Sequence, residues 1–343
     1  GSDTSCIFVV RDTVLKQVIQ LPPQQQQMAD LPAPPTTPRC MCDVDGGFAL
    51  GTDDGRVLVY RSHSSLGEDL SIWAVVRPAA TLANPGGVLH LHGGPLGSIL
   101  VACERHVCGF YVSDADSHEE SLAARNLVSE KRYSLLVDAS HDGEIIALDT
   151  ALSKPLLYTL GADKTVRSWD CERLTQSALP LAFDTQPLAL SVHPSAFAIL
   201  VAFRERVVAY HIGWDELYEW QTLPQPAAVL GVRYSRAGGH FGVACGGNVL
   251  LYSSYSLQPT GVLDGSGAPI TALAWGDGDA TVAAGTNDGM VYLWRVHDGS
   301  RAQECRAYEE RSRHTPVLSV CVRGHHPRSS RLLPPAASAT VSG

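Results

Sequence analysis

The stretch that decides the fold occurs twice. Residues 145–169 read IIALDTALSKPLLYTLGADKTVRSW, and residues 270–294 read ITALAWGDGDATVAAGTNDGMVYLW. They align without a gap: each has two apolar runs separated by a turn, then a turn with aspartate, then an alternating run that ends in tryptophan. This pattern predicts three antiparallel strands in about 25 residues. Because so small a unit cannot bury both faces alone, its repetition predicts stacking against similar neighbours.

Weaker copies of the closing strand lie between these two. Four valines mark that strand at steps of about 41–42 residues, whereas a four-stranded propeller blade takes about 40–45; they are Val166, Val207, Val249 and Val291. The runs CIFVV (6–10), RVLVY (56–60) and HVCGFYV (106–112) have the same character at wider steps. The sequence therefore predicts an all-β propeller of about seven four-stranded blades, forming an incomplete ring or one closed by pairing of its two ends.

The stretch HDGEIIALDTALSKPLLYTLGADKTVRSWD (141–170) resembles a WD repeat. Four of its residues match the His, hydroxyl, Asp and Trp of the family, namely His141, Thr159, Asp163 and Trp169. The resemblance implies a hydrogen-bonded network inside the blade, because a buried carboxylate and indole N–H need partners. The 270–294 copy keeps Asp288 and Trp294, but Ser266 replaces the histidine and Ala284 the hydroxyl. We expect Asp163 and Asp288 to be structural acceptors rather than catalytic acids.

The domain organisation follows from the spacing. We expect a propeller over residues 1–324, with degenerate blades in 1–132 and regular blades in 133–324. Loops or insertions are expected at 21–38, 61–97 and 114–132, the last being the one plausible helix. The composition of residues 325–343 is typical of a disordered tail or linker.

Composition and charge exclude several classes of function. The net charge of −9 argues against nucleic acid or an anionic membrane as the main partner. The sequence has no run of 18 apolar residues, so no membrane span is predicted. Gly1-Ser2 is typical of a cloning scar, and no signal peptide is expected. Nine scattered cysteines favour a reducing, cytoplasmic compartment.

No chemistry-bearing motif is complete. The run LHLHGGPLGS (89–98) contains a His-Gly-Gly-Pro sequence but lacks the matching G-x-S-x-G elbow, so a glycine-rich turn is favoured. The remaining candidate metal ligands have no structural-zinc spacing and are expected in the core; they are Cys40, Cys42, Cys103, Cys108 and His106. We expect no enzyme activity, no cofactor, no metal and no small-molecule ligand.

Two sets of residues are candidates for contact with protein partners. Arg167 and Tyr292 alternate with apolar side chains at equivalent positions of the two best blades, so we expect them on a wet face. The charged insertion 114–132 is the second candidate; its residues of interest are Glu119, Glu120, Arg125, Lys131 and Arg132.

Residues 154–305 are similar in order and spacing to the WD repeats of cilia- and flagella-associated axonemal proteins. The runs that carry the resemblance are HPS (193–195), ILVAF (199–203), GGNV (246–249), TNDGMVYLW (286–294) and DGSRAQEC (298–305). The resemblance implies a scaffold of the ciliary or flagellar axoneme that helps to position inner dynein arms or regulatory complexes. Members of that family pair WD propellers with a long coiled coil. This sequence contains none, so we expect a propeller segment or a shortened relative.

The alternative is a WD-type adaptor in another cytoplasmic complex, such as a substrate receptor of a ubiquitin ligase. Such receptors often carry Trp-Asp-x-Arg after the third strand. The runs WDCER (169–173) and WRVH (294–297) do not fit that pattern.

Overall fold

The structure, a computed structural model of the chain, describes most of the residues that the repeat pattern covers. Nearly all of them are in strands or in the turns between strands. The described ranges are 5–11, 14–19, 27–30, 37–44, 47–62, 70–76, 87–93, 98–111, 133–137, 141–151, 153–171, 173, 175–265, 267–306 and 317–324.

Within these ranges the strands form seven antiparallel sheets, the blades of the ring. Blade 1 consists of β4–β7, blade 2 of β8–β11, and blade 3 of β12–β16, in which β15 and β16 both pair with β14. The strands up to the end of blade 3 are β1 (Ser5–Arg11), β2 (Val14–Ile19), β3 (Gln27–Asp30), β4 (Pro38–Val44), β5 (Gly47–Thr52), β6 (Val57–Ser62), β7 (Leu70–Val76), β8 (Val88–Gly93), β9 (Ser98–Cys103), β10 (His106–Tyr111), β11 (Tyr133–Val137), β12 (Ile145–Thr150), β13 (Leu156–Gly161), β14 (Thr165–Asp170), β15 (Thr175–Gln176) and β16 (Leu181–Ala182).

The second half of the chain is more regular. Blade 4 consists of β17–β20, blade 5 of β21–β24 and blade 6 of β25–β28. These strands and the last one are β17 (Ala189–Val192), β18 (Ala198–Ala202), β19 (Arg206–Ile212), β20 (Leu217–Pro224), β21 (Val229–Tyr234), β22 (His240–Cys245), β23 (Asn248–Ser253), β24 (Pro259–Leu263), β25 (Ile270–Trp275), β26 (Thr281–Thr286), β27 (Met290–Arg295), β28 (Arg301–Arg306) and β29 (Ser319–Gly324).

The seventh sheet closes the ring with strands from both ends of the chain. Its order is β29-β1-β2-β3, and β1 pairs with β29 from Ser5↔Gly324 to Val10↔Ser319. The innermost strands contact one another in sequence around the ring, and β29 contacts β4 of blade 1. The prediction of a propeller is therefore confirmed, and of the two alternatives left open, an incomplete ring or one closed by its ends, the structure shows the closed ring.

The core lies between blades. Successive side chains of β27 point to opposite faces of its sheet, yet Val291, Tyr292, Leu293 and Trp294 are each about 1% exposed. Both faces of a blade are thus covered by neighbouring blades. Each third strand of blades 1–6 also carries a buried aromatic residue; these are Tyr60, Phe110, Trp169, Tyr210, Tyr252 and Trp294.

Two hairpin turns repeat the same local chemistry. In blade 1 the Thr52 hydroxyl donates to Asp54 Oδ1 at 2.6 Å, and Gly55 takes a φ of 80°. In blade 6 Thr286 donates to Asp288, and Gly289 takes a φ of 83°. Glycine suits this left-handed position because it has no Cβ. The Thr-x-Asp-Gly sequence therefore sets the turn between the second and third strands.

Two of the expected loops contain strands. The Pro- and Gln-rich stretch 21–38 includes β3 and the first residue of β4, and the stretch 61–97 includes β7 and β8. Those expectations were wrong. Strand β3 (QMAD) has a weak apolar pattern, whereas the apolar runs of β7 (LSIWAVV) and β8 (VLHLHG) are strand-like but lie among polar and glycine-rich residues. The insertion 114–132 and the tail 325–343 lie outside the described residues.

Candidate functional site

The WD-like blade contains a buried chain of hydrogen bonds. The Trp169 indole donates to Thr159 Oγ1 at 2.9 Å, and Thr159 Oγ1 lies 2.7 Å from His141 Nε2. His141 Nδ1 lies 3.0 Å from Asp163 Oδ1. The directions are consistent if His141 carries its proton on Nδ1, donates it to the carboxylate and accepts from Thr159. The structure thus places these four residues in one network.

Local backbone geometry brings the network together. Strands β13 and β14 pair across the blade, which sets Thr159 opposite Arg167. Strand β13 ends at Gly161, where a Cβ would collide with the His141 ring and the Asp163 carboxylate. Glycine is therefore required at this point so that the two side chains can approach each other.

Asp163 is the electrostatic centre of the network. Burial alone would raise its pKa, but hydrogen bonds from Thr165, the Asp142 backbone and His141 outweigh burial and hold the pKa below its ordinary value. The Thr165 hydroxyl donates at 2.8 Å and the Asp142 N–H at 3.0 Å. Burial lowers the pKa of His141, against the opposing effect of Asp163. The network therefore stabilises an ionised Asp163 beside a neutral imidazole.

Arg167, a candidate partner contact, is turned towards this network. Its guanidinium lies 3.5 Å from Asp163 Oδ2, and its side chain is 22% exposed. Only a small part of the Arg167 side chain is therefore accessible to a partner, and its positive charge is paired with the Asp163 carboxylate of the same blade.

Blade 6 does not reproduce the network. Asp288 is exposed and accepts from the Thr286 hydroxyl, and the buried Trp294 indole donates to the Asp264 carbonyl at 3.3 Å. Ser266 lies outside the described residues. With Ala284 in place of a hydroxyl, Trp294 bonds to the backbone instead.

The expectation that Tyr292 lies on a wet face was wrong. Tyr292 is 1% exposed and stacks on Trp294, with ring centroids 5.4 Å apart. The Arg301 guanidinium lies 4.8 Å above its ring. Alternation did not separate a wet from a dry face here, because neighbouring blades cover both.

A second buried cluster, which the sequence reasoning missed, joins the innermost strands of four blades. His92 Nε2 lies 2.6 Å from Asp149 Oδ1, and the Ser191 hydroxyl donates to Asp149 Oδ2 at 2.9 Å. The Val192 N–H donates to the same oxygen at 2.8 Å, and the Tyr234 N–H donates to Ser191 Oγ at 3.0 Å. The cluster thus ties blades 2, 3, 4 and 5 together.

Asp149 is kept charged in this buried setting. Burial would raise its pKa, but the His92 and Arg233 charges and the hydrogen bonds from His92 and Val192 reverse this and lower the pKa to about 2. The sequence contained one indication of this cluster, an aspartate that ends the apolar run IIALD (145–149). Its partners could not be identified because they belong to other repeats.

This cluster does not assemble a nucleophile. Ser191 is 1% exposed, and its hydroxyl donates to the Asp149 carboxylate, whose pKa of about 2 makes it too weak a base to activate a serine. A serine nucleophile needs a neighbouring base to accept its proton. The geometry therefore serves to hold blades together.

The innermost strands line a central channel of about 480 Å³. Its wall includes polar side chains from several blades, among them Arg39, Asp43, His92, Asp149, Arg233 and Arg236. Arg236 pairs with Asp43, so residues far apart in sequence meet across blades 1 and 5.

The candidate metal ligands lie in or near the core. Cys42, Cys103 and Cys108 are buried between blades 1 and 2, and Cys40 packs against the same cluster. Burial raises the pKa of Cys103 to about 12 and that of Cys108 to about 11, so both remain thiols at neutral pH. Within the described ranges, no three His, Cys, Asp or Glu side chains are placed to hold a metal ion.

Two further sets of candidate residues have no described structure. Residues 94–97 of the His-Gly-Gly-Pro run and the charged residues of 114–132 lie outside the described residues.

In the described part of the chain, no helix has the length and hydropathy that a membrane crossing requires.

Comparison with known proteins agrees with this architecture. Residues 257–295 match the family model of the WD domain, G-beta repeat. Cilia- and flagella-associated protein 57 of Mus musculus is 29% identical over 179 residues, which are 50% of this chain and 14% of that protein. Cilia- and flagella-associated protein 57 A of Tetrahymena thermophila is 28% identical over 159 residues, 46% of this chain and 12% of that protein. The matches thus span a small part of each relative's length. The chain folds as a β-propeller, matches the WD-repeat model over residues 257–295, and is similar over about half its length to cilia- and flagella-associated proteins.

Proposed function

We propose that this propeller is a non-catalytic protein-interaction scaffold of the ciliary or flagellar axoneme. The observation that carries the proposal is the similarity to two proteins named as cilia- and flagella-associated, from a mammal and a ciliate. The ring supports it, because a rigid propeller presents loops on both faces and strand edges on its rim.

The non-catalytic part of the proposal rests on the two polar clusters. His141, Thr159, Asp163 and Trp169 satisfy one another inside a blade, and Asp149 accepts from groups in neighbouring blades. The polar groups of both clusters form hydrogen bonds to other groups of the protein. Such networks specify one packing arrangement.

The axonemal part is tested by expressing the tagged chain in ciliated cells and extracting the membrane and soluble matrix with detergent. We expect the tag to remain with the axoneme. A tag that is distributed through the cell body and is lost on extraction would contradict an axonemal role and favour an adaptor in another complex.

We further propose that the scaffold helps to position inner dynein arms or regulatory complexes. Electron tomography of axonemes from cells depleted of the protein tests this. We expect lower occupancy of inner-arm densities with normal outer arms. Normal inner arms and regulatory densities in depleted cells would contradict this finer role.

A further inference from the structure

An ordered turn at the rim of blade 4 carries a tryptophan whose side chain lies in water. Trp214 is 97% exposed. Its turn is fixed, because the Gly213 N–H donates to the Glu216 carbonyl at 3.0 Å. The Leu179 N–H of blade 3 donates to the Asp215 carbonyl, also at 3.0 Å. An indole on a pre-ordered turn can bind a partner with little loss of conformational freedom.

Other rings continue from this turn towards blade 5. Tyr218 is 50% exposed and lies against Gly213, and it pairs across the strands with the exposed His211. His211 stacks on Trp220 with centroids 4.4 Å apart. Phe197 then links Trp220 to Tyr255 of blade 5, at 6.3 and 5.8 Å. We call this surface the aromatic edge; it consists of Phe197, His211, Trp214, Tyr218, Trp220 and Tyr255.

The turn at the aromatic edge is acidic. It carries Asp215 and Glu216, both exposed. Glu219 pairs across the strands with Tyr210 instead and lines a separate pocket with Arg206. Glu216 also accepts a hydrogen bond from the Tyr218 phenol. Exposed aromatic patches mark interaction sites, and tryptophan and tyrosine are over-represented among the residues that dominate binding.

We propose that the aromatic edge binds an arginine-bearing segment of a partner protein. A guanidinium stacks on aromatic faces and pairs with carboxylates through two parallel hydrogen bonds, so one side chain matches both features of this surface. An acidic segment would be repelled by the Asp215 and Glu216 carboxylates. The proposal deepens the scaffold role and rests on it only in taking the partner to be a protein.

The test uses the purified chain and the acetylated, amidated peptide Gly-Arg-Gly-Arg-Gly-Arg-Gly. Binding is followed by tryptophan fluorescence and by calorimetry at physiological salt. We expect saturable binding, tighter than that of the lysine and glutamate versions of the peptide. Trp214→Ala should weaken it about tenfold or more, and Glu216→Gln should weaken it and reduce its salt dependence.

The control is Leu230→Ala, because Leu230 is also an exposed apolar side chain (45%) but lies on the innermost strand of blade 5. It should leave binding unchanged, and all variants should keep the parent melting temperature. Absent binding, equal affinity for the lysine peptide, or binding unaffected by Trp214→Ala would overturn the proposal. A dimer in sedimentation that Trp214→Ala abolishes would also overturn it, in favour of a second copy of the chain. Because these measurements use no cilia, their failure is distinct from a failure of axonemal localisation.

Discussion

Asp163 and Asp288 occupy the same position of the repeat in different surroundings. Asp163→Ala removes the acceptor for His141, Thr165 and the Asp142 N–H, so it should lower the free energy of unfolding by about 1–3 kcal/mol. Asp288→Ala changes an exposed turn and should cost less than about 1 kcal/mol. Urea melts of both variants measure the two values. Equal losses would show that the four-residue network is not what distinguishes the blades.

Asp149 should make stability depend on pH. Its folded pKa of about 2 lies below the ordinary value of 3.8, so its stabilisation is complete above about 4 and is lost as the pH falls towards 2. Asp149→Asn should therefore lower the free energy of unfolding by about 2 kcal/mol at pH 7, with a smaller difference in acid. Denaturant melts from pH 7 to pH 2.5 measure this difference.

A difference between the two proteins that stays constant with pH would contradict an ionised, buried Asp149. Glu205→Gln, an exposed change on the turn before β19, is the matched control and should leave stability almost unchanged at each pH.

At this scale the sequence predicted one network and missed the other. His141, Thr159, Asp163 and Trp169 lie within one repeat, so their spacing could be compared with a known motif. The contacts of Asp149 cross between repeats. Which residues face each other there depends on how blades stack, and no local pattern encodes that.

The elements differ in how clearly their sequences mark them. Second and third strands were predicted because they are buried on both faces and read as apolar runs, as in β5 (Gly47–Thr52), whose residues are all buried. Outermost strands were missed more often. In β20 only Leu223 is buried, so its sequence lacks a strong apolar pattern.

Strand β29 should decide whether the ring stays closed. Val317, just before it, is fully buried, and the strand pairs with β1 and contacts blades 1 and 6. Truncation after residue 316 should expose these surfaces, lower the melting temperature by more than about 10 °C and promote aggregation. Truncation after residue 324 is the control and should leave the melting temperature unchanged. If both truncations melt alike, β29 does not close the ring.

The insertion 114–132 remains a candidate contact surface. Because it interrupts blade 2 between β10 and β11, we expect its replacement by a short glycine-serine linker to leave the melting temperature almost unchanged. Differential scanning calorimetry measures this. A large drop would show that the segment packs in the core.

For the molecule as a whole, periodicity predicted more than any single motif. A repeat of about 41–42 residues set the blade size, and an interrupted blade at each end left open whether the ring is closed or incomplete. The strand order β29-β1-β2-β3 shows how closure occurs. The exposed Trp214 was not predicted, because its surroundings depend on a neighbouring blade and a turn that the repeat pattern leaves undefined.

The central claim is a ring closed by in-register pairing of β1 with β29, and one cross-link tests it. Phe8 is paired with Cys321 in the β1–β29 register, so Phe8→Cys puts two cysteines at directly opposite positions. Val9→Cys is the matched control, since position 9 is paired with Val320 and adjacent positions of a strand alternate between faces. After mild oxidation, peptide mass spectrometry should find a disulfide between positions 8 and 321 only in the Phe8→Cys protein. A Phe8→Cys protein whose two thiols stay free, or a link to Cys321 that forms equally well from position 9, would contradict the closed ring.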